Sequence, residues 1–377
     1  MSKFAINPSP LMTSYLVRDL RIFRDDPIVI LDVGARGGFN TEWTVFADQI
    51  QIYGFEPDEE ECRRLAEAAP PGVNYIPSAL GRSSGMATLY EAKLAASTSL
   101  YETRPDYFDR LLNRDNGRIV DKRSVFVRSL DEVLAERGIG SVDFIKLDAE
   151  GAELDILEGG VACVGGKTLL GVLAEMRFHE EINGSPPFAE LDIFLRKYGF
   201  RLYDLQFTRQ SRIALPYPGS ADYRLSSGER FFAYTTRGQV QDGDGLYFRD
   251  LLLKVNEARH VQTAPTSVLK LCCLMELYSL NDSAAELILA NRERLQKIAD
   301  TGMLLNLLAS GIAGQFTDYT SYIENYFSPP PLPQSSEPSV SLQDLPLPQS
   351  REAPVSRQTP PNSLFTWLAA KVGRKAD

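Results

Sequence analysis

A glycine-rich turn follows the first strongly apolar stretch of the sequence. The β-branched run IVILDV, residues 28–33, leads directly into GARGG, residues 34–38. Glycine allows a backbone to turn tightly and to approach a ligand without a Cβ in the way. A dinucleotide site would favour the spacing GxGxxG, which this turn lacks. The alternative is a tight strand-to-helix turn that binds no ligand.

An acidic residue, within Phe55-Glu56-Pro57, ends a second apolar stretch. A carboxylate at this position can accept hydrogen bonds from both hydroxyl groups of a ribose, and Pro57 is typical of the first position of a helix. Glu56 lies 24 residues after Asp32, close to the spacing of about 20 residues between a glycine turn and a ribose-binding carboxylate. The two motifs predict an adenosine site and leave NAD and S-adenosylmethionine open as its ligand.

Three carboxylates follow a third apolar stretch, within DFIKLDAEGAE at 143–153. They belong to Asp148, Glu150 and Glu153. The carboxyl ends of strands bind ligands in open α/β sheets, and this much negative charge opposes a pyrophosphate but is compatible with a sulfonium cation. Crowded carboxylates need a positive partner, which the sulfonium, Lys146 or a metal could supply. The alternative is that Glu150 and Glu153 only begin a helix, which the helix dipole favours.

Strands and helices alternate around these motifs. The predicted strands lie near residues 28–33, 50–55, 73–77, 143–147, 169–175, 200–206 and 231–235. The predicted helices include 11–25, 58–69, 129–137 and 152–158. This alternation predicts a doubly wound, mostly parallel α/β sheet of seven strands, with the last two as an antiparallel pair at its edge.

The motifs, in this order, resemble the FkbM family of S-adenosylmethionine-dependent O-methyltransferases. The matching segments are DVGARGG (32–38), FEP (55–57), SALG (78–81), SLDE (129–132), DFIKLDAEGAELDILEGG (143–160), LAEM (173–176) and LRKYGFRLYDL (195–205). The resemblance covers about residues 28–237 and implies a Rossmann-like methyltransferase domain over 1–237. The sequence departs from the family at Arg36, where the family usually has Asn.

The resemblance also implies a role for each matching position. The implied cofactor-binding residues are Asp32, Gly34, Ala35, Gly38, Glu56, Pro57, Ser78, Ala79 and Asp148. The glycine turn should lie under the amino-acid end of S-adenosylmethionine, and Glu56 should hold its ribose. Ser78 and Ala79 should border the adenine, and Asp148 should face the methyl group and the acceptor. Residues 97–99 resemble the small polar segment that the family has near the cofactor.

Methylation of an alcohol needs a base or a metal, because an alcohol is a poor nucleophile near neutral pH. The candidate bases are Asp148, Glu175 at the end of the fifth predicted strand, and His179, since histidine accepts protons near neutral pH. A structural role is the alternative for His179. Asp148 and Glu175 could instead hold Mg²⁺ through oxygen ligands.

The composition limits the classes of partner and compartment. The chain of 377 residues has 40 Lys and Arg against 50 Asp and Glu, a net charge of −10, and such a surface repels nucleic acid. Its two histidines exclude a multi-histidine metal site. Cys272 and Cys273 lie in an apolar run, which is typical of buried thiols in a reducing cytosol. No signal peptide or membrane-spanning stretch is evident in the sequence, so we expect a cytoplasmic protein.

The sequence changes character after residue 237. We expect an α-helical domain over 246–327, in which Asp282-Ser283 forms a helix N-cap. Its predicted helices are 246–258, 266–280, 283–300 and 302–314. Residues 328–361 are rich in Pro, Ser and Gln and are expected to be disordered or polyproline II. Residues 362–377 predict a short amphipathic helix that docks on protein or, alternatively, anchors weakly at a membrane surface.

Three functions follow from these patterns. The leading one is O-methylation of a hydroxyl on a sugar, glycan or other secondary metabolite. The second is a non-catalytic adaptor on a methyltransferase-fold scaffold, for which Arg36 counts slightly. The third is an NAD-dependent oxidoreductase, which the missing GxGxxG disfavours. Loops at 95–125 and 178–190 would set the acceptor. Aromatic and basic residues within 101–123 predict either a lid over a sugar or anionic acceptor or a solvated, charged loop.

Overall fold

The computed structural model describes residues 4, 6–217, 222–224, 230–232, 235, 237–254 and 264–328. The predicted Pro-rich segment 328–361, apart from Ser328, and the predicted terminal helix 362–377 lie outside the described residues. Within the described part of the chain, no helix is long and apolar enough to cross a membrane.

Seven strands form one central sheet. The strands of the described residues are β1 (Ile28–Val33), β2 (Ile50–Phe55), β3 (Val73–Ile76), β4 (Ala79–Gly81), β5 (Gly85–Ala92), β6 (Ile119–Ser129), β7 (Phe144–Leu147), β8 (Gly171–Arg177), β9 (Phe200–Gln210), β10 (Asp222–Arg224), β11 (Arg230–Phe232) and β12 (Gln239–Arg249). The central sheet has the order β3-β2-β1-β7-β8-β12-β9. Every residue of β1 and β8 is buried, as expected for continuous apolar strands covered on both faces.

The sheet is doubly wound. β1, β2, β3, β7 and β8 pair in parallel, whereas β12 runs antiparallel to both β8 and β9. Counted within this sheet alone, the strand order is 3-2-1-4-5-7-6. The order reverses between β1 and β7, and this reversal opens a crevice at the carboxyl ends of these strands. The predicted fold class is therefore confirmed.

Helices cover both faces of the sheet and follow it in the sequence. They are α1 (Leu11–Ser14), α2 (Glu59–Glu67), α3 (Pro105–Phe108), α4 (Leu130–Arg137), α5 (Glu153–Gly159), α6 (Val161–Gly165), α7 (Phe188–Lys197), α8 (Pro265–Leu277), α9 (Asn281–Ala290), α10 (Arg292–Leu295), α11 (Thr301–Ala313) and α12 (Tyr319–Phe327). The first predicted helix, 11–25, is shorter than expected, because a π-helical turn over Tyr15–Asp19 follows α1 and ends it.

Two predicted helix starts are wrong. The Asp58 carboxylate accepts hydrogen bonds from the backbone N–H groups of Glu60 and Glu61 and so caps α2. The helix therefore begins at Glu59, and Pro57 precedes the cap instead of opening the helix. Similarly, α9 begins at Asn281, which places the predicted cap at 282–283 inside the first turn.

The last strand of the sheet also differs from its prediction. The sequence predicts a strand at 231–235 and a helix over 246–258, whereas β12 supplies the strand and ends at Arg249. β11 pairs instead with β10 in a separate two-stranded sheet. The central sheet thus continues past residue 237, the predicted end of the methyltransferase-like domain, and the division into domains stays a prediction.

Close packing inside β12 requires two glycines, Gly243 and Gly245, although the sequence around them is typical of a turn. A Cβ at Gly245 would collide with the side chain of Met176, and a Cβ at Gly243 would lie 2.5 Å from the backbone oxygen of Gln206. Neither glycine has a positive φ. The segment QDGDG is therefore a crowded central strand, whose glycines make room for its neighbours.

A three-stranded sheet, β4-β6-β5, is inserted between β3 and α4. Residues 103–113 lie in the connection between β5 and β6 and contact residues next to the central sheet. We call them the lid segment. In it, the Arg104 N–H donates to the Glu181 backbone oxygen at 2.8 Å, and the Leu112 N–H donates to the Ser211 backbone oxygen at 2.9 Å. The segment is thus held by residues that follow β8 and β9, and a lid over an acceptor stays a prediction.

The helices after β12 share one hydrophobic core with the sheet. Cys272 and Cys273 of α8 are fully buried in it, which confirms the prediction of buried thiols. The Lys270 Nζ of the same helix lies 3.0 Å from the buried carboxylate of Asp143, at the start of β7. Buried contacts of this kind tie the helices to the sheet as parts of one packed unit.

The first helix depends on the same region. The buried Glu276 carboxylate, near the end of α8, accepts hydrogen bonds from the Met12 N–H at 2.9 Å and from the Thr13 N–H at 2.7 Å. It also accepts one from the Thr13 hydroxyl at 2.7 Å. These N–H groups lie in the first turn of a helix, where no intrahelical partner exists, so a side chain 263 positions away provides their acceptor.

Candidate functional site

The glycine turn joins the ends of three strands. The N–H groups of Gly34 and Ala35 both donate to the Phe55 backbone oxygen, at 3.1 and 3.0 Å, at the end of β2. Gly34 has φ +77°, and a Cβ there would collide with the backbone oxygen of Asp148 at the end of β7. Gly38 has φ +104°. Only glycine satisfies both demands at Gly34, the positive φ and the close approach.

A buried ion pair lies directly beneath this turn. The Lys146 Nζ is 3.0 Å from the Asp32 carboxylate and 3.6 Å from that of Asp148, and it also donates to the Gly34 backbone oxygen at 3.3 Å. Burial raises the pKa of Asp32 and Lys146 opposes this. Burial alone would lower the pKa of Lys146, but the two carboxylates raise it. Lys146 is therefore the positive partner of Asp32 and Asp148.

The predicted ribose-binding carboxylate, Glu56, lies next to Arg36, the residue at which the sequence departs from the family. Glu56 is buried at the end of β2 and accepts a hydrogen bond from the Asp58 N–H at 2.9 Å. The Arg36 guanidinium is 3.5 Å from Glu56 and 2.8 Å from the Asp58 carboxylate. Burial raises the pKa of Glu56, and Arg36 opposes this shift. Pro57, a predicted cofactor-binding residue, lies between these two acids in the sequence.

The predicted adenine-bordering residues, Ser78 and Ala79, are buried just after β3. The Ser78 N–H donates to the Ile76 backbone oxygen at 2.9 Å, so both residues lie at the same edge of the sheet as Glu56. In the small polar segment 97–99, the Ser99 hydroxyl donates to the Glu150 backbone oxygen at 2.7 Å. This bond holds the segment against the loop that follows β7.

A carboxylate cluster lies at the ends of β7 and β8. One oxygen each of Asp148, Glu150 and Glu175 lies within 4.8 Å of the other two, a spacing that could hold a cation. The buried Arg177 guanidinium already approaches two of them, at 2.5 Å from Glu150 and 2.9 Å from Glu175. Burial raises the pKa of Glu175 and Arg177 opposes this. Arg177 is thus a cation that the sequence does not predict, beside the three predicted partners, which are the sulfonium, Lys146 and a metal.

Glu153 has a structural role in the same loop. It begins α5, and its carboxylate accepts hydrogen bonds from the Ala149 N–H at 2.8 Å and the Gly151 N–H at 3.0 Å. Glu150 between them has φ +55°, a conformation that costs free energy unless its surroundings impose it. Glu153 therefore holds the strained loop that carries Asp148.

The predicted base His179 lies beyond β8, against the lid segment. Its Nε2 is 2.7 Å from the Val240 backbone oxygen and 2.9 Å from the Gln239 side-chain nitrogen. Its ring stacks on that of Tyr107, with 5.9 Å between ring centroids. The structure brings Asp148 and Glu175 into one cluster. The contacts of His179 are instead typical of a residue with a structural role.

Sequence reasoning missed Arg177 and Glu181. Arg177 ends β8, two residues after Glu175, and alternation along a strand would have placed both side chains on one face. Glu181 lies in a loop, where no periodicity marks a residue as buried.

The strand order and the groups at the carboxyl ends of β1, β2 and β7 define a Rossmann-like methyltransferase. Residues 32–202 match the family described as the methyltransferase FkbM domain. This match confirms the resemblance that the sequence predicts, over these residues.

Similar proteins carry methyltransferase names. The 2-O-methyltransferase NoeI of Sinorhizobium fredii is 27% identical over 147 residues, which are 36% of this chain and 58% of that protein. The precorrin-6y C5,15-methyltransferase of Geobacter metallireducens is 10% identical, with a TM-score of 0.28 over 66% of this chain and 95% of that chain. An Aquifex aeolicus SAM-dependent methyltransferase is 13% identical, with a TM-score of 0.24 over 63% of this chain and 93% of that chain. Because both TM-scores are low, the fold assignment rests on the strand order.

Proposed function

We propose that this chain is an S-adenosylmethionine-dependent O-methyltransferase that acts on a hydroxyl of a sugar, glycan or other secondary metabolite. One observation carries the proposal: the glycine turn, Glu56 and Asp148 converge where the strand order reverses. The 2-O-methyltransferase NoeI, 27% identical over 147 residues, supports a hydroxyl acceptor. The chain spans 58% of that relative's length, so the acceptor has to be argued from this chain's own residues.

The residues present fit the cofactor. The positive φ at Gly34 and Gly38 turns the backbone so that no Cβ covers the turn. The Glu56 carboxylate ends β2, where a carboxylate can accept hydrogen bonds from ribose hydroxyl groups. S-adenosylmethionine, when bound, supplies a methyl group on a positively charged sulfur. The carboxylate of Asp148, at the end of β7, would stabilise that charge.

The remaining task of the protein is to seat the acceptor hydroxyl and to take its proton. Asp148 is the candidate base that fits this task best, because its side chain is 24% exposed and lies at the end of β7. The Glu175 side chain is only 9% exposed, and its ion pair with Arg177 is closer, at 2.9 Å, than the 3.6 Å between Asp148 and Lys146. The Nε2 of His179 has two close polar neighbours. We therefore assign removal of the acceptor hydroxyl proton to Asp148, and a positioning role to Glu175 and His179.

We expect the reaction to proceed without Mg²⁺. Two of the three carboxylates that could bind an ion are already in contact with the Arg177 guanidinium. A divalent cation would have to displace a buried guanidinium, whose charge is the most costly to leave unpaired. Arg177 thus does the electrostatic work that Mg²⁺ would do.

Calorimetric titration of S-adenosylhomocysteine tests the cofactor site. A hydrogen bond to a charged group contributes about 1.5–3 kcal/mol, so Glu56→Ala should weaken binding by roughly tenfold or more. The matched control is Glu59→Ala, which removes an exposed carboxylate at the start of α2 and should leave the affinity unchanged. Equal affinities of wild type and Glu56→Ala would reject the ribose assignment.

A non-catalytic adaptor on the same fold is the second candidate, and one contact favours it. The Arg36 guanidinium lies 3.5 Å from Glu56, where it competes with a ribose for the carboxylate. A thermal shift separates the two functions. A methyltransferase is stabilised by S-adenosylmethionine and not by NAD, whereas an adaptor whose site Arg36 closes is stabilised by neither.

A further inference from the structure

On one face of the central sheet, polar side chains continue beyond the carboxylate cluster. Arg177 lies opposite Asp242 in the β8–β12 pair. Besides Glu150 and Glu175, its guanidinium is 3.9 Å from Asp242 and 3.7 Å from Glu181. Four carboxyl groups therefore surround one guanidinium, two on the side of the cofactor residues and two on the side of the lid segment.

The same face continues onto β9. The Thr208 hydroxyl donates to the Asp242 carboxylate, which places Thr208 on the face of Arg177. Gln210 is two residues further along the strand, so its side chain returns to that face. Both residues are buried. The face is polar throughout, although a sheet face under a covering segment is ordinarily apolar.

The lid segment covers this face. It is fixed to the Glu181 and Ser211 backbone oxygens by the two hydrogen bonds described above, and its Tyr107 ring stacks on His179. Burial raises the pKa of Tyr107, and the nearby Glu181 carboxylate raises it further. The groups that the lid segment meets on the sheet are thus polar.

Several of these groups have no hydrogen-bond partner among the described residues. They are both carboxylate oxygens of Glu181, the side-chain oxygens of Gln210 and Asn113, the Arg177 Nε and one terminal nitrogen of Arg212. Glu181 is 0% exposed and Gln210 is 1% exposed. Buried polar atoms are nearly always paired, so these atoms indicate a ligand or solvent that the protein itself does not provide. Acceptor atoms outnumber donors by four to two.

We propose that Glu181 and Gln210 line the acceptor site and that this site takes an uncharged sugar, whose hydroxyl groups donate hydrogen bonds to their oxygens. The inference rests on the proposed methyltransferase function and names its substrate class. A polyhydroxylated molecule offers several donors at once, which matches the excess of unpaired acceptors. Four carboxyl groups against the Arg177 guanidinium disfavour a phosphate or a uronate, which argues against the anionic acceptor that the sequence left open. Burial raises the pKa of Glu181 to about 7, with Arg177 opposing the shift, so this carboxyl group has lost its ordinary solvation.

Saturation-transfer NMR on the full chain with S-adenosylhomocysteine tests the proposal. The probes are methyl glycosides of neutral hexoses, 6-deoxyhexoses and N-acetylhexosamines, together with matched uronates and 6-phosphates. We expect at least one neutral glycoside to bind and its charged counterpart to bind at least tenfold more weakly. Glu181→Gln should weaken the neutral glycoside by about tenfold or more, whereas Glu180→Gln, whose side chain is 88% exposed, should not.

Calorimetry with S-adenosylhomocysteine on each protein separates this proposal from the proposed function. If the wild type binds S-adenosylhomocysteine but no neutral glycoside, or prefers the charged ones, the acceptor proposal is overturned while the methyltransferase stands. If Glu181→Gln binds the glycoside as the wild type does, the assignment of Glu181 is overturned. If S-adenosylhomocysteine does not bind the wild type, the proposed function fails and the inference with it. Gln210→Ala serves as the second variant if Glu181→Gln does not fold, and unchanged glycoside binding there also overturns the proposal.

Discussion

Replacing Arg177 by glutamine should lower the free energy of unfolding by about 3–5 kcal/mol at pH 8, the cost of breaking a buried ion pair. The guanidinium is buried and lies 2.5 Å from Glu150 and 2.9 Å from Glu175, with Glu181 and Asp242 at 3.7 and 3.9 Å. Glutamine retains much of the volume and can donate to one or two of these oxygens. It cannot offset the charge of the remaining carboxylates, so we expect a loss near the upper end of this range.

The loss should shrink as the pH falls. Burial already raises the pKa of Glu175 and that of Glu181, the latter to about 7, and removal of the guanidinium that opposes these shifts raises both further. Each unit corresponds to about 1.4 kcal/mol. Both groups are therefore protonated to a greater extent at pH 5.5 than at pH 8 in the folded variant, and the repulsion that Arg177 relieves in the wild type is smaller at the lower pH. We expect roughly half of the pH 8 loss at pH 5.5.

Urea denaturation at both pH values, followed by far-UV circular dichroism, measures these differences. The matched control is Arg196→Gln, which breaks an ion pair with Asp192 of 2.6 Å whose arginine is 49% exposed. It should cost less than about 1 kcal/mol at either pH. If Arg177→Gln costs no more than this control, or if its cost is the same at pH 5.5 and pH 8, the reasoning about the cluster is refuted.

Four further measurements check other parts of the site. Gly34→Ala should lower the free energy of unfolding by more than about 2 kcal/mol, because the added Cβ would collide with backbone at a positive φ. The control is Gly140→Ala, since Gly140 has open space around it. Equal melting temperatures of the two variants would contradict the argument. Burial raises the pKa of Glu153 from 4.5 to about 7, so the folded state holds a proton that the unfolded chain releases, and stability falls as the pH rises between these values. Glu153→Gln should make stability less dependent on pH between these values. An unchanged slope of stability against pH would contradict the raised pKa of Glu153. His179→Ala should increase hydrogen exchange in the lid segment without changing the affinity for S-adenosylhomocysteine, since it removes the ring that anchors the lid; unchanged exchange would show that the stacking is dispensable. Titration of Mg²⁺ into the S-adenosylhomocysteine complex should give no binding heat, and saturable binding would overturn the electrostatic role of Arg177.

The parts of the fold that the sequence predicts are those whose signals are local. Residues 28–33 and 50–55 are each bounded by their own composition, and both match their strands to the residue. The convergence of Glu56 and Asp148 follows from the rule that parallel strands end at one edge. These predictions need only the residues of the segment itself and a sheet topology.

The parts that the sequence does not predict depend on distant neighbours. Gly243 and Gly245 are typical of a turn until Gln206 and Met176 are known to pack against them. The lid segment becomes recognisable as a cover only through backbone bonds to residues far along the chain, and the buried Glu181 takes part in one of them. Neither a propensity nor a periodicity records such contacts.

The cap that Glu276 provides for the first helix has a consequence for synthesis of the protein. A ribosome adds about 5–20 residues each second, so the 263 positions between Thr13 and Glu276 correspond to roughly 15–50 s. During that time most strands of the sheet have left the ribosome, while the N–H groups of Met12 and Thr13 still lack their acceptor. Residues 11–14 are made long before Glu276 and are therefore among the last to settle, and we expect a nascent chain stalled before residue 276 to expose them to proteases and chaperones.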